Sequence, residues 1–188
     1  MGQGNGILSA EGDFGRHLGR LAAGLAARGH RLDVIAHPGA AEAQIVGCEN
    51  AIGTSLPPSF CRFLRESNGL SLSIDHDPRV SHDMIILGTD AIINAHREFA
   101  DEYSDLDIDG DWRPEGRTST TRSFWDGLVA FAFYGVGYCL FDTLAATNAE
   151  ATVVDLDLED LRDTRAHKLA SSYREWFSKI AESAILKQ

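Results

Sequence analysis

The chain is short of cysteine and of positive charge, and it has no long apolar run. Each shortage removes a class of function. Only three cysteines occur, Cys48, Cys61 and Cys139, far apart and each set in an apolar pattern. An odd number without close spacing supports neither a disulfide framework nor a zinc site. No apolar stretch reaches the roughly 20 residues that a membrane-spanning helix needs, so no membrane is an expected partner. The first residues, Met1-Gly2-Gln3-Gly4-Asn5-Gly6, lack the basic and then apolar pattern of a secretory signal, and the expected compartment is the cytoplasm. There are 17 Lys and Arg against 28 Asp and Glu, a formal charge of -11. A surface of that sign repels phosphate backbones, so nucleic acid is not an expected partner, whereas basic proteins are attracted. The same charge also serves plain solubility.

What is present is a soluble globule of 188 residues, long enough to bury a sizeable core. Beyond a glycine-rich start, Phe14, Leu18, Leu21, Ala22 and Leu25 recur at helical spacing, with Asp13 as N-cap and Gly29 as the stop. Arg31 to Ile35 reads as extended chain or a short strand. The glycine fingerprint of a nucleotide-binding βαβ unit is missing around it. Ile45, Cys48 and Ile52 then line one helix that Gly53 ends. Leu56-Pro57 opens a second, with Phe60, Phe63 and Leu64 inside and Asn68-Gly69 as its close.

From Leu70 the period changes. Leu70, Leu72 and Ile74 alternate with serines as a half-buried strand, and Met84 to Leu87 reads as a short buried one. Thr89 or Asp90 starts a helix with Ile92, Ile93, His96, Phe99 and Tyr103 on its inner face. Leu128 to Tyr134 and Val136 to Asp142 form a hairpin around Gly135 and Gly137. Thr152 to Val154 is the last strand expected. A C-terminal helix carries Leu169, Tyr173, Trp176, Phe177, Ile180 and Ala184 on one stripe. Helices, then strands, then a closing helix predict an α+β fold: an antiparallel β-sheet packed by N-terminal helices and a C-terminal helix.

The order of these motifs resembles the SUKH superfamily, which includes a yeast regulator of cell-wall synthesis and many bacterial toxin-immunity proteins. The resemblance runs from about His37 to Ile180. It rests on Pro38-Gly39-Ala40-Ala41-Glu42, Glu49, Gly53, Leu56-Pro57, Phe60, Phe63-Leu64 and Asn68-Gly69. It continues in Trp125 and in the run from Tyr134 to Asp142, and ends in the aromatic helix around Tyr173, Trp176 and Phe177. Tyr134 and Val136 are less polar than the usual turn, and Asp105 to Glu115 looks like an insertion. The resemblance implies a SUKH-like domain over 37-188, preceded by a tail and helix over 1-36 that pack on it. It further implies a non-enzymatic protein-binding role without catalytic residues.

No nucleophile, base and stabiliser set is visible. Cys61 beside Arg62 has no histidine near it in sequence. His76 and His82 flank Asp75, Asp77 and Asp83 without metal-ligand spacing. No cofactor and no metal are therefore expected. Asp105, Asp107, Asp109 and Asp111, with Gly110 among them, could wrap calcium. The position where an EF-hand needs a bidentate Glu holds Gly116, however, and Pro114 opposes the exit helix. A calcium-responsive binder is accordingly one alternative. The expected use of the run is electrostatic, with Asp105, Asp107, Asp109 and Asp111 steering a basic partner and Trp112 and Trp125 anchoring it. The expected function is immunity against a basic nuclease- or deaminase-type toxin, the cognate toxin being the protein partner. The other alternative is a regulatory module bound to a cellular enzyme or scaffold.

Overall fold

The computed structural model describes residues 12–75, 84–103, 127–134, 137–147, 150–157 and 167–186. The first apolar stripe forms α1 (Asp13–Ala26), which buries Phe14, Leu18, Leu21 and Leu25. Gly12 is its N-cap and Asp13 its first helical residue, so the acid sits where it favours the helix dipole without capping. β1 (Arg31–Ala36) follows. The helix pair is α2 (Glu42–Ile52) and α3 (Pro58–Glu66), with the apolar faces expected from their spacing. Gly53 ends α2 at φ 72°, a left-handed conformation that glycine adopts without strain.

The close of α3 differs from expectation. Its C-cap is Ser67, in extended conformation, and Asn68 does not end the helix. Asn68 works on a later element. Its Oδ1 accepts from the Thr89 N–H at 2.8 Å, satisfying one of the unpaired donors at the start of α4 (Thr89–Tyr103). Its Nδ2 donates to Thr89 Oγ1 at 3.2 Å.

The strands are β1, β2 (Leu70–Asp75), β3 (Met84–Ile86), β4 (Leu128–Tyr134), β5 (Gly137–Thr147), β6 (Glu150–Asp157) and β7 (His167–Ala170). They form one sheet in chain order, each pairing antiparallel with the next. β7 is an addition to the expected set, so Thr152–Val154 belongs to the penultimate strand. Leu169 sits in β7, before α5 (Tyr173–Leu186) begins.

Alternate residues divide the sheet into two unlike faces. On the first, Leu70, Leu72, Ile86, Val129, Phe131, Phe141 and Val153 meet the buried sides of α1, α2, α3 and α5 in one core. A cluster of rings fills its centre. Phe60 lies 4.8 Å from Tyr173 and 5.0 Å from Phe141 by ring centroids, and Phe14 lies 5.4 Å from Phe63, Tyr173 and Phe177. The β4–β5 register shifts between Ala130 and Ala132, and the bulged Phe131 stacks on Phe141 at 4.0 Å. On the second face, Leu128, Ala130, Leu140 and Val154 pack against Ala95 of α4, with Phe99 and Tyr138 at the margin.

Candidate functional site

The six positions expected to meet a partner, Asp105, Asp107, Asp109, Asp111, Trp112 and Trp125, lie outside the described residues. So do His76 and His82. The site must therefore be built from what surrounds the sheet and helices.

Polar side chains around the helix pair and the sheet hold the fold in place. Glu49 of α2 accepts the Leu56 N–H at 2.9 Å, fixing the turn into α3. Glu150 of β6 accepts the Ser59 N–H at 3.0 Å and the Ser59 hydroxyl at 2.5 Å, so a carboxylate from the sheet caps the first turn of α3. Fully buried Asp142 accepts the Leu144 N–H at 3.2 Å. Several of the acids that give the chain its charge are thus used internally.

Nucleophilic chemistry has no ready group among the described residues. Cys48, Cys61 and Cys139 are free and buried. Burial, with Glu49 nearby, pushes the Cys48 and Cys61 thiols up to about 11. Burial also raises Cys139, helped by the Asp155 carboxylate. Such thiols stay protonated and inert near neutral pH. Cys61 instead donates to the Leu56 carbonyl at 3.6 Å. His96 on α4 is half-buried, and desolvation lowers its pKa.

One serine–histidine pair does form. Ser178 Oγ lies 3.1 Å from His17 Nε2, and His17 Nδ1 lies 2.8 Å from the Asp13 carbonyl. No local pattern points to it, because the two residues are 161 apart. The Ser178 hydroxyl also reaches the Arg174 carbonyl of its own helix at 3.0 Å. The pair ties α1 to α5, beside the Asp13–Arg174 ion pair at 3.1 Å. No cluster of three or more metal-capable side chains exists among the described residues. No helix among them is long and apolar enough to cross a membrane.

Two of the exposed large apolar side chains, Ile35 and Ile85, lie on the second face of the sheet, toward β1. Register sets Ile35 opposite Ser71, Ser71 opposite Ile85, and Ile85 opposite Phe133, in one row on one face. Ile35 is 57% exposed and Ile85 41%. The run Met84 to Leu87, expected as a buried strand, is therefore buried mainly through Ile86. Beside the row, an open groove of about 220 Å³ is lined by His37, Asn68, Ser71, Ile85, Leu87 and Asp90. Asp90 is exposed, so its carboxylate is available to a cation arriving there. Ile35 was readable in advance. It alternates with Arg31 and Asp33, which places all three on the same wet face.

Residues 39–179 match the SMI1 / KNR4 family (SUKH-1). The match spans well over half of the chain, which therefore belongs to that family. No curated protein matches the chain.

Proposed function

We propose that this SUKH-1 family member is a non-enzymatic protein-binding domain that neutralises a basic, nuclease- or deaminase-type toxin as its immunity protein. Family membership over residues 39–179 is the observation that carries this reading. The net charge of -11 supports it, because a nuclease is itself basic to hold its substrate and is drawn to an acidic inhibitor. The buried, protonated cysteines also suit a binding role better than a catalytic one. Asp105, Asp107, Asp109 and Asp111 supply the steering charge in this proposal, with Trp112 and Trp125 as aromatic anchors. The cytoplasm is where the protein would meet an incoming toxin.

The test is to look for a toxin-like domain encoded by the genes beside this chain and to co-express it with the chain. Cells should survive the toxin only when the chain is present, and the two purified proteins should form a stable complex. Growth arrest that the chain does not relieve, with no complex on mixing, would sink the reading.

A further inference from the structure

α1 is joined to the rest of the molecule unevenly. Phe14 and Leu18 enter the main core, whereas Leu21 and Leu25 pack in a separate small cluster with Leu32 and Ile74. The helix is also poor by composition. Three of its 14 residues are glycine, Gly15, Gly19 and Gly24, and glycine loses more conformational freedom in a helix than any other residue. Packing does not require Gly19, which is exposed and where a Cβ would meet nothing within 4 Å. No side chain caps the N-terminus at Gly12, where a Cβ would run into the Glu66 carboxylate. Two buried polar atoms lie at this end, Glu66 Oε2 and the hydroxyl of Tyr173, and neither has a hydrogen-bond partner among the described residues. Burial, and then the charge of Glu66, raise the Tyr173 phenol well above its ordinary value. The polar ties of α1 to α5, His17 to Ser178 and Asp13 to Arg174, involve residues that solvent reaches and competes for.

We propose that α1 is a hinged cover on the aromatic core. It lifts from α3 and α5 at residues 27–30, where Gly29 takes φ 82°, while the sheet and the other helices stay folded. A 14-residue helix this rich in glycine does not persist alone, so α1 melts once lifted. The matched family segment begins at residue 39, and the moving part lies outside it. Opening lets water reach Glu66 and the Tyr173 hydroxyl, which ends the cost of burying them unpaired. It also bares the rings of Phe63, Tyr173 and Phe177, each 5.4 Å from Phe14 in the closed state. The cover thus hides or exposes an aromatic surface without unfolding the domain. It does not depend on the toxin reading.

Native-state amide exchange of the full chain tests this, comparing Leu18, Leu21 and Leu25 of α1 with Phe63 and Leu64 of α3. Protection in α1 should be at least about tenfold lower and less sensitive to denaturant, as for a sub-global opening. Glu150 bonds the start of α3, so Glu150→Ala should lower protection in α3 by about fivefold or more and leave α1 unchanged. Gly19→Ala should raise protection in α1 by about two- to fivefold. Tyr173→Phe removes the unpaired hydroxyl and should raise it as well. Thermal melts confirm that each variant is folded. The proposal is overturned if α1 is as protected as α3, or if Glu150→Ala lowers both together. It is equally overturned if Gly19→Ala leaves α1 unchanged. A fall in α1 protection with Tyr173→Phe would mean that the hydroxyl is bonded in the folded protein, and also overturns it.

Discussion

The two faces of the sheet are built from alternate residues of the same strands, yet they do different work. The first carries Phe131 and Phe141 into a ring cluster with Phe60, Phe63, Tyr173 and Phe177, every member buried. The second carries Leu128, Ala130, Leu140 and Val154 under α4, then opens toward β1, where Ile35 and Ile85 reach solvent. Packing on the first face leaves little freedom, because close-packed rings have few alternative arrangements. The open part of the second face has no such constraint. Its apolar side chains contribute little to folding, and that leaves them free to serve an interface.

The sharpest way to break this contrast is Phe60→Ala. Phe60 is fully buried and touches Phe63, Phe131, Phe141 and Tyr173. Its removal should cost about 3–5 kcal/mol, from lost transfer energy plus the cavity left behind. Urea unfolding would read this as a lower midpoint at unchanged slope. A loss below 1 kcal/mol would mean that the ring cluster is not the centre of stability. Glu150→Ala comes next. It leaves the Ser59 N–H and hydroxyl without their carboxylate, and about 1–3 kcal/mol should be lost. Ser59→Ala in the Glu150→Ala background should then add little, because the two residues act through one interaction.

How much of this was legible follows from the same contrast. Helical spacing at Ile45, Cys48 and Ile52, and at Phe60, Phe63 and Leu64, identified the buried sides of α2 and α3 correctly. The pairing of β4 with β5 and the helix α5 were also readable, since each carries its pattern within its own residues. β5 runs on to Thr147, however, and Gly135 and Val136 of the expected turn lie outside the described residues. Features that depend on distant partners were not. Asn68 reads as a helix stop, but its role is to cap α4, which begins 21 residues later. β7 has only four residues and no alternation, so Leu169 was absorbed into the helical stripe that follows. Met84 to Leu87 is apolar throughout, and such a run does not reveal which side faces water. That is why the exposure of Ile85 went unread, while that of Ile35 was marked by Arg31 and Asp33. The acidic and tryptophan positions expected as a partner site lie outside the described residues.

The open face sharpens the comparison from the other side. Ile85→Ser removes as many apolar atoms as many damaging core substitutions, but from a site already 41% exposed. Its effect on stability should stay within about 0.5 kcal/mol, as for most surface changes. A loss approaching that of Phe60→Ala would show that this part of the sheet is covered and structural, and would remove it as a docking surface.

The smallest effect should come from the solvent side of the helix layer. Arg65 of α3 grips Glu42 of α2 through Nε at 2.9 Å and Nη2 at 3.0 Å. The hydrogen bonds from Arg65 hold the Glu42 carboxyl below its ordinary value of 4.5, outweighing a slight opposing desolvation. Because the folded pKa is depressed, the pair's contribution is fully present above the unfolded value. It is lost as pH falls through the folded one. Both side chains are exposed, so solvent screens the pair and side-chain ordering offsets much of its attraction. Arg65→Gln should therefore barely move the urea midpoint at neutral pH. It should raise the Glu42 titration midpoint toward the ordinary value, as followed by carboxyl carbon chemical shifts. An unmoved Glu42 midpoint would mean that the two side chains do not meet in solution. A large loss of stability would mean that this bridge locks α2 to α3, giving the outer surface a share of the work assigned above to the rings.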